Sequence, residues 1–437
     1  MLRGAWSDDR LSWGRLPRVR QFAVPLDVVP TSPPELPNGL SMLPQGLARS
    51  YGDSCINADN AILLTERLKC FIEWNRSTGM LRAESGTTLG DILQLVAPQG
   101  WFLPVSPGTQ FVTLGGAVAN DIHGKNHHRA GSFGRYVTQF ELLRSSGERL
   151  QCSRESHAEL FRATIGGLGL TGLITWVEIQ LKPIASLGMQ VETIPFSTLD
   201  ECLEINAASE RDFEYTVAWI DSLDSNGRGH YIRGNHAADS RERPTPSLDG
   251  IAVPFECPNA LLNAWTVKAF NTFYYRRVPL RGRQALVHYQ PFFYPLDRVH
   301  HWNRLYGRRG FYQYQCVVPA TDNALAMKEI LRTVAGSNQG SCLTVLKMFG
   351  NHAPEGLLSF PRAGATLAVD IPNVGNRTRD LLDRLDELVV DAGGAIYPGK
   401  DSRMGRRAFE ASFPRWREFA ASIDPRFSSS FWRRVTS

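Results

Sequence analysis

Between two apolar runs lies Thr113–Gly134, TLGGAVANDIHGKNHHRAGSFG, a segment holding five glycines, three histidines and a lysine. Each glycine adds to the entropy cost of ordering the backbone. A chain tolerates such a run where its main chain must approach something bulky and turn amide N–H groups toward anionic oxygens. His123, Lys125, Asn126, His127 and His128 interleave the glycines, which separates this segment from an ordinary turn.

Three more loops of this kind surround it. Gly46–Ser54 reads GLARSYGDS, with glycines at both ends, Ser50 as a further hydrogen-bonding group, and Arg49 either neutralising charge or lying in solvent. Ser106–Thr109 (SPGT) leads into the main segment, which itself ends in Gly131–Gly134, and Gly166–Gly172 follows. That last stretch satisfies G-x-G-x-x-G, but a nicotinamide-binding fold needs a strand before it and a helix after it. Here the order is reversed, because a helical pattern over His157–Ile165 precedes and the β-rich ITWVEIQL follows. Four loops between short strands exceed the needs of one mononucleotide. They suit an extended dinucleotide with a pyrophosphate and a large ring system.

The rest of the chain bounds the answer. Its 437 residues, 43% hydrophobic and 21% charged, suit two or three globular domains with a large core. Seven scattered cysteines (55, 70, 152, 202, 257, 316 and 342) form no CxxC pair, so reduced thiols are expected, with neither a disulfide framework nor a metal site. A net charge of +5 is a mild preference for anionic ligands and not a nucleic-acid signature. The N-terminus lacks the apolar core of a signal peptide, and no apolar run is long enough to span a membrane. A cytoplasmic protein, free or resting on a membrane face, is expected.

Periodicity predicts strands at Ala61–Leu64, Leu81–Glu84 and Thr175–Leu181, and helices at Thr88–Val96 and His157–Ile165. After Lys182-Pro183, Pro195 is expected to open a helix containing Leu199, Cys202, Leu203 and Ile205. Strands then follow near Tyr215–Asp221, His230–Arg233, Gln313–Val318, Leu343–Phe349 and Thr366–Ile371. Helices are expected over Asn323–Val334 and Arg377–Ala392, the second stopped by Gly393-Gly394. This order implies an antiparallel sheet with helices on one side. Gly234–Gly250 reads as a mobile surface loop. Trp265–Arg309, dense in aromatics and arginines, reads either as a core helix with a solvated basic face or as an amphipathic lip for a lipid tail and its phosphate.

The order GLARSYGDS, SPGT, TLGGAVANDIHGKNHHRAGSFG, GGLGLTGLIT, YTVAWID and a late YPGKDSR resembles the FAD-linked oxidoreductases of the vanillyl-alcohol oxidase type. Within them it is most similar to the decaprenylphosphoryl-β-D-ribose 2′-oxidases, over nearly the whole chain. DIHGKNHH and the lysine-containing end are the specific strings, whereas the glycine loops mark only the superfamily. The resemblance implies an α+β fold. A two-part PCMH-type FAD-binding domain would comprise residues 1–185, with 394–437 returning to it. The inserted substrate domain, 186–393, would be built on an antiparallel sheet with helices.

The same resemblance assigns residues to roles. Gly46, Leu47, Ala48, Arg49, Ser50, Tyr51, Gly52, Asp53, Gly108, Thr109, Gly115, Gly116, Ala117, Asn120, Asp121, His123, Gly124, Gly169, Gly172, Ile174 and Lys400 would hold the FAD. Arg49 occupies the position where many members carry a flavin-linked histidine, so non-covalent FAD is expected. Tyr51, Trp219, Gln313, Gln315 and Lys347 would bind substrate, with Lys400, Tyr397 and His123 catalytic. Oxidising a secondary alcohol needs a base within reach of the hydroxyl. Tyr397, His123 and a desolvated lysine all remain candidates. The pocket cysteine of mycobacterial members is Ala368 here, and the neighbouring asparagine is Thr366, so the sugar-facing wall differs while flavin redox chemistry needs no thiol.

The implied activity is oxidation of a secondary hydroxyl of a sugar, a phosphorylated or prenyl-phosphorylated pentose such as decaprenylphosphoryl-ribose. The keto-sugar would pass to a separate reductase as the first half of an epimerisation. A soluble alditol or aldonolactone oxidase and a non-catalytic FAD-fold binding module are the rivals.

Overall fold

The computed structural model describes residues 4–437 except 38, 240–249, 260 and 322–323. Its fold is α+β, carried mainly by three sheets. In the first, Ala61–Leu64 runs parallel to both Gln21–Pro25 and Met42–Gln45. All four residues of AILL are buried, as a strand covered on both faces requires. The second sheet is antiparallel and joins Phe71–Asn75, Met80–Glu84, Leu173–Gln180, Val137–Leu143 and Arg149–Ser153. Against it packs the helix Leu89–Val96, whose Leu89, Ile92, Leu93 and Val96 are buried at helical spacing. Thr88 and Asp91 close a reciprocal capping box at its start.

The glycine-rich segment forms the short helix Leu114–Ala119, capped by the Thr113 hydroxyl, and then loops. Gly115 allows the helix to press on the second sheet: a Cβ there would lie 2.8 Å from that of Ser85. Helix Ala158–Thr164 precedes Gly166–Gly172 and strand Leu173–Gln180 follows it, the reverse of a nicotinamide-binding motif.

The third sheet has eight antiparallel strands. From one edge they are Arg283–His288, Gly188–Phe196, Gly229–His236, Tyr215–Ile220, Thr344–Phe349, Gly364–Pro372, Phe311–Val318 and Ala395–Ile396. Alternation sorts its two faces. Ala218, Ile220, Tyr314, Cys316, Leu346, Leu367 and Val369 join one core with helices Leu199–Ser209, Leu325–Ser337 and Asn376–Asp391. The opposite face carries Val217, Trp219, Gln313, Gln315, Val345, Lys347 and Ala368.

Three expectations need correction. Pro195 does not open a helix: the strand continues to Phe196, and the helix starts at Leu199 behind a Thr198 cap. The edge partner ends at Thr193, so the proline's missing N–H costs no ladder bond on that side. Trp265–Arg309 is not a core helix. The helix Ala264–Arg276 buries only Val267 and Asn271, and the edge strand Arg283–His288 follows it. In Gly234–Gly250, residues 234–236 extend a strand, while 240–249 lie outside the described residues, as does Asn323.

The C-terminal segment returns to the first sheet. Met42 N–H donates to Arg426 O, and Ser428 N–H donates to Met42 O. From the helix Ser430–Thr436, Arg434 forks onto Asp53 at 2.7 and 2.9 Å and reaches Asp401 at 2.9 Å.

Candidate active site

A cavity of about 960 Å³ lies between the glycine loops and the polar face of the eight-stranded sheet. From the first loop, Gly46, Leu47, Ala48, Arg49, Ser50 and Tyr51 line it. Their neighbours Gly108, Thr109, Gly115 and Gly116 line it as well, followed by Asn120, His123, Gly124, Gly169, Gly172 and Ile174. The backbone N–H groups of Gly46 to Ser50 have no acceptor among the described residues. Consecutive free amides of this kind form an anion cradle. Nearby, the buried side chains of Ser54 and Ser85 and the Nε of Arg49 also lack partners. A Cβ on Gly108 would meet nothing within 4 Å, so open space lies in front of that residue. These unsatisfied donors and this volume fit a large pyrophosphate-bearing cofactor.

Four residues expected at the FAD stand behind the wall. A Cβ on Gly52 would fall 1.6 Å from Asp401 O, so its glycine admits the C-terminal segment. Asp53 pairs with Arg434. Ala117 is wholly buried in its helix. Asp121 accepts from Ser132 Oγ, Gly134 N–H and Ser359 Oγ, which ties three separated segments together. Burial raises its pKa to about 6 against those hydrogen bonds.

Opposite the loops, the sheet lays out a row of directly paired residues: Trp219 beside Val345, Val345 beside Ala368, and Ala368 beside Gln315. Gln315 closes on His123 Nε2 at 2.9 Å, and Lys347 Nζ lies 3.1 Å from His123 Nδ1. Thr366 does not line the cavity; its hydroxyl donates to Cys316 O and faces the Gln315 amide at 3.3 Å. A neutral imidazole has one donor and one acceptor nitrogen, so the proton on the His123–Lys347 contact and the tautomer are set together. Burial first, and Lys347 next, hold the His123 pKa well below its usual value.

Lys400 Nζ sits 3.8 Å above the Tyr51 ring and makes no hydrogen bond among the described residues. Burial lowers its pKa to about 7, with Asp370 opposing and Lys347 adding to the fall. Lys347 is likewise lowered to about 7 by burial. Gln313 donates to the buried Asp370 at 2.6 Å, and burial lifts that carboxyl to about 7. The Tyr397 hydroxyl donates to Asn120 O at 3.0 Å, and burial pushes its pKa up. Trp219 is fixed by its Nε1–H on Cys342 O.

All eight expected catalytic and substrate-binding residues thus line one cavity. Sequence reasoning passed over three others. Lys125, inside the quoted motif, donates to the Phe292 and Phe293 carbonyls and lines the wall. Asp370 falls within the expected strand Thr366–Ile371, but only the register shows it beside Gln313. Arg277 lies in the segment read either as a solvated basic face or as a lip for a lipid tail and its phosphate; it is exposed and lines the cavity.

An anion cradle facing buried bases is the arrangement of a flavin-dependent oxidoreductase. Comparison with known proteins agrees. Residues 37–153 match the FAD binding domain family. Over 97% of this chain and 96% of the relative, it is 34% identical to the decaprenylphosphoryl-beta-D-ribose oxidase of Mycolicibacterium smegmatis. It is also 33% identical to an uncharacterized protein of Streptomyces coelicolor, over 80% of this chain and 99% of that one. A human delta(24)-sterol reductase matches only 26% of this chain and 22% of its own length, at 28% identity. The chain belongs to the family of PCMH-type FAD-dependent oxidases that includes decaprenylphosphoryl-β-D-ribose oxidase. FAD is its cofactor.

Proposed function

We propose that this protein oxidises a secondary hydroxyl of a phosphorylated or prenyl-phosphorylated pentose to a ketone, as the first half of an epimerisation that a separate reductase completes. The observation that carries it is the convergence of Lys400, Lys347 and His123 in the cavity that holds the unpartnered loop amides. The mycobacterial relative's name supports oxidation of a prenyl-phosphorylated ribose; the 2′-hydroxyl as the site of oxidation and a role in cell-wall polysaccharide synthesis extend that reading. The protein then divides into a two-part FAD domain, residues 1–185 and 394–437, and a substrate domain, 186–393.

When bound, FAD supplies the hydride acceptor, and the protein's residues do the rest. Arg49 has no nucleophilic side chain to bond a flavin, and its guanidinium stacks on Trp13 at 4.1 Å, so the cofactor is held without a covalent link. Among the candidate bases, Tyr397 is the weakest, because its proton is committed to Asn120 O and burial disfavours its phenolate. Lys400, lowered to about 7 and open to the cavity, takes the hydroxyl proton. His123 and Lys347 share one proton beside it and balance the charge that develops. Gln313 and Gln315 orient the sugar hydroxyls, with Tyr51 and Trp219 as apolar walls.

No helix among the described residues is long and apolar enough to cross a membrane. Contact with a lipid substrate at a membrane face is nevertheless part of this reading, because Trp265 is 85%, Phe273 73% and Leu280 89% exposed beside Arg276, Arg281 and Arg283. A soluble alditol substrate would leave that surface without a role.

The test is an absorbance spectrum of the purified protein, acid precipitation, and anaerobic addition of phosphorylated and unphosphorylated sugars. Yellow supernatant and bleaching by a phosphorylated pentose are expected. Bleaching by free alditols alone would reject the phosphosugar, and flavin that no substrate reduces would reject the oxidase.

A further inference from the structure

Five lysine or arginine side chains line the cavity against one carboxylate, Asp297. Four of the five already answer to the protein. Lys125 is held by two carbonyls, Lys347 by His123, and Lys400 stands over Tyr51 within the field of Asp370. Arg49 stacks on Trp13 and feels Asp297. The fifth, Arg277, pairs with no carboxylate among the described residues.

Its surroundings hold it in a definite pose. At the C-terminal end of helix Ala264–Arg276, the exposed Arg277 has its guanidinium carbon 4.0 Å from the centre of the Tyr274 ring and donates to the Tyr274 hydroxyl at 3.2 Å. Tyr274 in turn packs on Trp219 at 4.6 Å, and all three line the cavity. That bond uses one of the five N–H donors of the guanidinium, and the remaining donors can fork onto two oxygens of a phosphoryl group.

The position also sets a distance. Trp219 opens the row that ends at Gln315, three inter-strand steps or about 14 Å away, and Gln315 touches His123. A bare pentose is too short to span that row, and an attached phosphoryl group extends it toward the Trp219 end, where the Arg277 side chain reaches in.

The geometry points to Arg277, seated on Tyr274 and Trp219, as the group that binds the phosphoryl moiety of the substrate at the far end of the cavity from the bases. This deepens the sugar-oxidation reading and rests on it for the identity of the sugar alone. The phosphoryl group belongs either to a lipid-linked diester or to a free sugar phosphate.

Calorimetric titration of the FAD-loaded protein with geranyl phosphate and with ribose 5-phosphate decides the matter. Wild type is expected to bind at least one, and Arg277→Gln to weaken that binding about ten- to a hundredfold, as loss of a charge-assisted fork requires. Arg277→Lys should recover only part, because it keeps the charge but not the fork. Tighter geranyl phosphate identifies the lipid source, and tighter ribose 5-phosphate the soluble one. The subsite is overturned if neither phosphate binds wild type at millimolar concentration, or if Arg277→Gln binds both as wild type does. Flavin bleaching is scored separately. Phosphate binding that depends on Arg277, with no sugar able to bleach the flavin, would keep the subsite and reject the oxidase reading. Bleaching with an unchanged KM in Arg277→Gln would do the reverse.

Discussion

Replacing Lys347 by methionine removes one of the basic groups in the cavity while keeping a side chain of similar length. Lys347 Nζ and His123 Nδ1 are 3.1 Å apart. Two unit charges at that separation repel by about 5 kcal/mol at an effective dielectric constant of ~20. That disfavours the doubly protonated pair by more than about a thousandfold, so the pair carries at most one added proton near neutrality. Lys347 also depresses Lys400, whose pKa of about 7 reflects burial first and this like charge as a smaller cause. Without Lys347, Lys400 therefore holds its proton to higher pH, and its free-base fraction falls at any pH below the plateau. The assay is anaerobic rapid mixing of oxidised enzyme with a sugar that bleaches the wild-type flavin, followed from about pH 5.5 to 9.5. For wild type the rate should rise through a midpoint near 7, set by Lys400. For Lys347→Met the acid limb should move to higher pH, so that the rate falls several-fold more near pH 6.5 than on the alkaline plateau. An unmoved limb, or one moved to lower pH, refutes the electrostatic coupling. An equal loss at every pH would mean that Lys347 acts on the substrate or the developing charge and not through Lys400.

Lys400→Ala should retain FAD but slow flavin reduction by about 10²–10⁴-fold; undiminished bleaching removes Lys400 from the mechanism. Arg434→Met strands the buried carboxylates of Asp53 and Asp401 and should cost about 3–5 kcal/mol, read as a lower denaturant midpoint with an unchanged slope. Gly52→Ala forces a methyl into Asp401 O; thermal unfolding should come several degrees lower, and an unshifted transition would mean that the C-terminal segment yields freely.

Where one physical signal dominated, the sequence was readable. The AILL strand and the Leu89–Val96 helix show their own period, and their ends follow from turn and cap residues. The polar residues of the site were legible as a set, because a run of glycines and histidines has few structural uses. Legibility failed where the outcome depends on a distant partner. RQALVH becomes an edge strand only because Gly188–Phe196 offers it a free side. Pro195 is tolerated in a strand only because that same partner has already ended. Which side of a glycine loop meets the cavity is equally hidden: Gly52, Asp53 and Asp121 read like their neighbours but face the C-terminal segment or the loop at Ser359. Asp370 shows the same limit, since its place under Gln313 follows from strand pairing and not from local pattern.

The ion pair between Asp53 and Arg434 joins residues 381 positions apart, and the order of synthesis gives that span a consequence. During translation the first phosphate-binding loop is made long before the helix that braces it, and domains fold broadly from the N-terminus onward. Contacts of such high sequence separation form late, because the intervening chain must first lose its freedom. The nascent protein therefore passes through a stage in which its sheets exist but its cofactor cradle is slack. The cradle is braced only once the last helix has been made, so flavin capture is expected to follow completion of the chain and not to accompany its synthesis.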